Sequence, residues 1–589
     1  MQVLREGKWD LSELVRDPES PIFSRRLKEI ETQVRKFEKN KAILKPNISE
    51  KKFLSLLHTL ENITEKFSIL SGYASLEYSA DTQSDKATSL LSKMRKFGAQ
   101  IENQTLFFDQ WWKKQLDDKN AQRLMKSSGE LHEFLRYKRL LAKYSLTEPE
   151  EKIINTLDVT GHSALVKLYD KITNAFVFTV KIDGKPKRYN REELTQLVRS
   201  PKLRIREIAY KSLLSEYDKN KGVLGEIYQN IVSNWKDECI QIRGYSSPIS
   251  VRNIGNDIDD TTVNALLSVC KKNSIVFRKF FSQKARILKV KKLRRYDLYA
   301  PIQKKEEKKY DYNKAVKLVL QTLHEFNPQL NEFAKKVFIE KHVDSTIRPG
   351  KRSGAFCSTI TPKITPYVLV NYKGRTNDVF TLAHEIGHAI HSMAASEKSI
   401  FIAEAPLPLA ETASTFSEML LFNQILEQTT DDEKQSLLVE HLDDLYATIG
   451  RQSYFTLFEV AAHEKIGTGA TIHDISVEYM KTLKDQFGNS VAISPDFGVE
   501  WTCIPHFYHS PFYCYSYSFG NLLSLSLYQR YRKEGKAFAP NYIDILSAGG
   551  SKKPEELLKE NGIDISSEKF WQEGFDYIKN QTERLDKLI

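Results

Sequence analysis

The chain has 589 residues, of which 41% are hydrophobic and 28% charged, with a formal net charge of +12. Such a length can bury several cores, and the absence of any run of about 20 apolar residues argues against a membrane span. The positive balance raises nucleic acid as a partner, but the lysines interleave with acids, and the densest runs, 289–295 and 304–309, read as solvated faces or connectors without a nucleic-acid motif.

The start, Met1 to Asp10, lacks the apolar core of a secretory signal. Cysteines at 239, 270, 357, 503 and 514 have no paired spacing. They predict a reducing cytoplasm, no disulfide framework and no thiolate metal site. Neither a nucleic-acid nor a membrane partner is expected, and the oligomeric state is left open.

In chain order, amphipathic helices are predicted near 22–45, 50–72, 85–117, 119–144 and 148–155, where Leu, Ile and Phe recur among Lys and Glu. The segment 175–189 alternates as a strand pair, with Asp183-Gly184 as its turn. A helix pair follows from Arg191 through Ser215, broken at Pro201. These elements divide the chain into a helical N-terminal domain, 1–195, with a hairpin near its end, and a catalytic domain, 196–589. The loop Gly350 to Gly354 is a candidate flap over substrate; it lacks the spacing of a phosphate loop. A short apolar strand, Tyr367 to Asn371, comes next. It either offers an open edge to an extended peptide or is fully paired and supports the following helix.

That helix carries His384-Glu385-Ile386-Gly387-His388, an H-E-x-x-H run. Asn377 and Asp378 are the predicted caps, and Val379, Leu382, Ile386, Ala389, Ile390 and Met393 the apolar face. Residues four apart share a helix face, so His384 and His388 can grip one metal ion, with Glu385 beside a metal-bound water as general base. This chemistry points to zinc-dependent peptide hydrolysis, with one zinc per chain. Gly387 sits mid-helix at a cost of about 1 kcal/mol, which a close approach by a neighbouring backbone would explain. His463-Glu464 is the internal control: Gly467 stands where a second ligand would, so the pair reads as helix surface.

Tetrahedral zinc needs a third protein ligand. A third histidine at the metzincin position is excluded, because Ala394 stands there. His391 lies too far along the helix axis and reads as a packing or supporting residue. A carboxylate from the predicted helix Leu409 to Leu421 remains. Spacing does not choose between Glu411 and Glu418, nor wholly exclude Glu404.

The segments Tyr367 to Tyr372 and Asp378 to His391, with the Glu411 helix, resemble oligoendopeptidase F, of the thimet oligopeptidase group of zinc metallopeptidases. The resemblance extends to Tyr296 to Pro301, Gly354 to Cys357 and His506 to Tyr508, strong over the later part of the chain and weaker over its first third. It implies a mainly α, multi-helical zincin fold with a small β-sheet near the active site and helical lobes around a deep channel. It implies short peptides as substrates, Glu411 as the third zinc ligand, and Glu418 as its support.

The aromatic stretch Ile504 to Gly520 has prolines at 505 and 511, the mark of a loop leading into a helix. From Phe512 on, Tyr513 and Tyr517 fall on one helical face. Such a face is ordinary core, or a set of O–H and N–H donors for an oxyanion. The resemblance implies the second, with His506, Tyr513 and Tyr517 preferred and His509 and Tyr515 as substitutes. The expected activity is therefore a zinc oligoendopeptidase. The alternatives are a helical zinc carboxypeptidase, which needs a group to receive a free carboxylate, and a non-catalytic basic binding protein.

Overall fold

The structure, a computed structural model, describes residues 5–182, 184–302 and 308–589. The chain folds as two compact units, each assembled from separated stretches. The first comprises Met1–Lys143, Glu307–Ile425 and Arg530–Ile563; the second comprises Tyr144–Glu306, Leu426–Gln529 and Asp564–Ile589. The boundary read from sequence near residue 195 lies inside the second unit.

In the first unit, three long helices, Pro21–Glu38, Glu50–Ala80 and Asp85–Gln110, start where Ser20, Ser49 and Ser84 accept backbone N–H groups of the first turn. This is the N-cap chemistry that short hydroxyl side chains favour. Their apolar stripes meet around Phe37, Phe53, Phe108, Trp111 and Trp112, all buried. The helix predicted over 119–144 is two, Asp118–Ser127 and His132–Ala142. Gly129 separates them at φ 57°, a left-handed conformation that glycine adopts without steric cost.

The same unit holds a three-stranded sheet. Tyr367–Leu369 lies in its middle, parallel to Val343–Asp344 and antiparallel to Phe356–Ser358. Of the two readings of Tyr367 to Asn371, the paired one holds and the open edge does not. Tyr367, Val368 and Leu369 are fully buried, and the strand is paired on both sides. The two outer strands are Val343–Asp344 and Phe356–Ser358, and the second packs against the helix Thr376–Ala394.

The second unit contains the hairpin Phe178–Ile182 with Lys185–Tyr189, in antiparallel register from Phe178 opposite Tyr189 to Ile182 opposite Lys185. Asp183 of the expected turn lies outside the described residues; Gly184 follows at φ 81°. Helices Arg191–Val198 and Leu203–Trp235 flank Pro201 as expected, the second running 33 residues. Around it pack Arg451–Gly467, Ile472–Phe487 and the turn Pro495–Cys503. The run 304–309 lies mostly outside the described residues. Among those described, no helix is long and apolar enough to cross a membrane.

Candidate active site

The helix Thr376–Ala394 carries the H-E-x-x-H run. Asp378 is its anchor, accepting the backbone N–H groups of Lys373 and Arg375 at 2.8 and 2.9 Å. Asn377, the other expected cap, takes no such part: the cap position is Arg375. Val379, Leu382, Ile386, Ala389 and Ile390 are buried on one face. At Gly387 the backbone of the next helix comes in. A Cβ there would lie 2.5 Å from Ser414 Cα and 2.6 Å from the Ala413 carbonyl oxygen. Only a residue without a side chain permits that approach.

The approach delivers Glu411. This residue ends the short turn Leu407–Ala410 and immediately precedes the helix Thr412–Glu427. Its Oε2 lies 3.3 Å from His384 Nε2 and 3.4 Å from His388 Nε2, and the two imidazole nitrogens are 3.2 Å apart. Three donors thus form a nearly equilateral triangle. A tetrahedral ion with bonds of about 2.0–2.1 Å needs donor separations of about 3.3 Å, so the triangle fits a zinc ion. Among the described residues this is the group of three His, Cys, Asp or Glu side chains spaced to hold a metal. Ser414 Oγ donates to Glu411 Oε2 at 2.7 Å and steadies it. Glu418, the competing candidate, bonds His384 Nδ1 instead. That bond orients the ring with Nε2 turned toward the triangle of donors. Glu404 is exposed and outside the group. His391 is buried, and the Ala410 backbone lies close enough to it and to His388 to favour their charged forms.

In the second unit, His506 opens the short helix His506–His509, and a loop leads to the helix Tyr515–Glu534. His506 Nε2 is 3.2 Å from the Tyr517 hydroxyl. The ring of Tyr513 lies parallel to His506 at 6.1 Å and edge-on to Tyr517 at 5.4 Å. The three preferred residues are therefore gathered together, though not as expected. Tyr513 is not helical, because Phe512 sits at φ 57° and Tyr513 precedes the helix. The substitutes are engaged elsewhere: His509 bonds Asp170 at 2.8 Å, and the buried Tyr515 hydroxyl accepts from Asn256 at 2.8 Å.

Residues 196–577 match peptidase family M3. This chain belongs to that family. It is 27% identical to an oligoendopeptidase F homolog of Borreliella burgdorferi, over 100% of this chain and 99% of the relative. It is 26% identical to the chromosomal oligoendopeptidase F of Lactococcus lactis subsp. cremoris, over 95% of each. Among solved structures it is similar to oligoendopeptidase-F from Enterococcus faecium, with a TM-score of 0.70 at 21% identity over 96% of this chain and 98% of that one. The chain is thus an M3 peptidase, a metalloendopeptidase of mainly helical fold.

Electrostatics at the M3 site follow from burial and crowded carboxylates. Burial opposes a charged His384, but its bond to Glu418 and the charges of Glu418, Glu411 and Glu385 prevail and raise it to about 9. Burial lowers His388, and carries His391 down to about 4. Glu385 is only 6% exposed, and the backbone of Cys357, on the edge strand Phe356–Ser358, acts to lower its carboxyl. Burial raises its carboxyl to about 7; His384 works against this, while Glu411 and Glu418 add to it. A carboxylate near neutrality is poised to take and return a proton.

Two residues of this peptidase were missed in the sequence. Glu459 Oε1 accepts the Phe512 N–H at 2.9 Å, holding the loop in its left-handed conformation. Arg252 donates to the Pro511 carbonyl through Nε and Nη2 at 3.3 and 3.2 Å and lies over the Tyr513 ring at 5.9 Å. The available signal was an acid, Glu459, among Phe455, Phe458 and Ala462 of one helix; its burial raises it to about 8. The reading of His463-Glu464 as surface needs a partial correction. Glu464 is exposed, but His463 is 5% exposed, its ring 4.6 Å from that of Phe512.

Proposed function

We propose that the protein is a zinc oligoendopeptidase that cleaves internal bonds of short peptides, with His384, His388 and Glu411 as the ligands of one ion. The observation that carries this is the triangle of donors with a buried carboxylate, Glu385, next to it in sequence. Zinc bound there supplies a water of lowered pKa and polarises the scissile carbonyl. Glu385 takes the proton of the attacking water and returns it to the leaving amine. Glu418 holds His384 in the tautomer that leaves Nε2 free.

His506, Tyr513 and Tyr517 donate to the developing oxyanion, a role carried over from the family resemblance and supported by their mutual clustering. Burial, with the charges of His509 and Arg451, lowers His506, so its imidazole is neutral at neutral pH and keeps one N–H to donate. An extended peptide pairs its backbone with Phe356–Ser358, the edge strand whose Cys357 backbone acts on Glu385. Five free cysteines agree with a reducing cytoplasm.

The test is a mixture of short peptides, some blocked at both ends, incubated with the protein before and after chelation. Internal cleavage of blocked peptides that stops with chelator and returns with added zinc is expected. Removal of single C-terminal residues, with blocked peptides untouched, would instead make it a carboxypeptidase. Cleavage indifferent to chelator would refute the metal reading.

A further inference from the structure

The second unit holds a pocket of about 220 Å³, open to solvent on the side of Thr195 and Arg199. A drug-sized ligand needs several hundred Å³, whereas one water occupies about 30 Å³. The space therefore suits a small group rather than a whole ligand. Three guanidinium groups, Arg191, Arg199 and Arg451, stand in its wall with Tyr299 and a single carboxylate, Glu500. Glu500 is already spoken for: its Oε1 takes a bond from the buried Arg295 at 2.5 Å and its Oε2 one from Tyr479 at 3.1 Å. Arg451 reaches it only at 3.9 Å. Arg191 donates to the Cys503 carbonyl and to the Tyr217 hydroxyl, both neutral.

The wall therefore carries more positive charge than its one carboxylate, shared between Arg295 and Arg451, can balance, although Arg199 is exposed and Arg451 partly so. It also carries idle donors. Arg451 Nε and the Tyr299 hydroxyl are buried without a hydrogen-bond partner. Arg199 lies over the Tyr299 ring at 5.8 Å, beside the same space. Buried donors are nearly always paired, and a buried cation needs a counter-charge. One acceptor of negative charge, placed between a guanidinium and a phenol, answers both demands.

We propose that this cavity is a carboxylate-binding site, in which Arg451 and Tyr299 donate to the two oxygens and Arg199 and Arg191 supply the surrounding field. The carboxylate comes either from a peptide or from a free small acid. The two sources share the chemistry and differ in the test.

The probe is trifluoroacetate, followed by fluorine NMR line broadening with the full-length protein at fixed ionic strength. Wild type should broaden the line saturably, and acetate should reverse it. Arg451→Met should weaken binding at least tenfold and Tyr299→Phe several-fold, the second change leaving every charge and the fold in place. Broadening equal in wild type and both variants, or absent in wild type, overturns the site. The source follows from pairs of peptides that differ only in a free or amidated C-terminus, an arm that rests on the peptidase reading while the NMR arm does not. A KM preference for the acid that vanishes in Arg451→Met assigns the site to peptide. No preference, with probe binding still dependent on Arg451, assigns it to a free acid.

Discussion

The two clusters proposed to serve catalysis are built by opposite means. The proposed metal ligands stand on regular backbone: two histidines one helical turn apart, and a glutamate brought in where Gly387 lets a second backbone approach within a Cβ's breadth. The aromatic donors stand on a loop whose shape is imposed from outside, by Glu459 on one side and Arg252 on the other, with Phe512 held at φ 57°. The first arrangement follows from local periodicity. The second exists only after distant segments have met. Rigidity comes cheaply to a helix and must be imposed on a loop.

The sharpest break between the clusters is Glu385→Gln. It should lower turnover about 10³–10⁴-fold while zinc content, read by atomic absorption, stays unchanged. Tyr517→Phe should lower kcat about 10²-fold or more, again with full zinc. An unchanged kcat would remove the aromatic cluster from the chemistry. Glu418→Gln acts the other way, on the metal first, weakening zinc about 10–100-fold by competition with a fluorescent chelator.

The remaining expectations are smaller. Metal-free His384 holds its proton up to about 9, so zinc must expel it. Zinc affinity should therefore rise about tenfold per pH unit from 7 to 9 and level off above, the sign required when binding releases one proton. A flat profile would mean that the site is already deprotonated. Gly387→Ala should destabilise the first unit by about 1–3 kcal/mol, since the atoms met at 2.5 and 2.6 Å are backbone and cannot rotate away. Bound zinc should recover less of the melting temperature than in wild type. A variant as stable and as tight for zinc as wild type would show that the two backbones have room to spare.

What could be read beforehand tracks this contrast. His384, Glu385 and His388 were legible because a helix converts spacing into direction. Glu411 and Glu418 were not separable by spacing, since both were placed on one predicted helix. The structure starts that helix at Thr412, so Glu411 stands off its end and Glu418 one face along it. Tyr513 was misassigned to a helix because nothing local announces the left-handed Phe512 or its hold on Glu459. Full pairing of Tyr367–Leu369 was one of two readings the sequence left open, and its partners, strands of two and three residues, were too short for alternation to decide it. Long capped helices such as Glu50–Ala80 were plain, and the split at Gly129 was not.

The interleaving of the two units bears on how the molecule is made. The first unit lacks its last piece until residues 530–563 have left the ribosome, and the second until residues 564–589 have. The first 143 residues emerge long before the segments 307–425 and 530–563 that complete their unit, leaving apolar surface uncovered during synthesis. Early-synthesised helices must wait, and chaperone demand should peak while the middle of the chain is being translated. A cut at residue 195 would not release a self-sufficient piece, since both units draw on chain from either side of it.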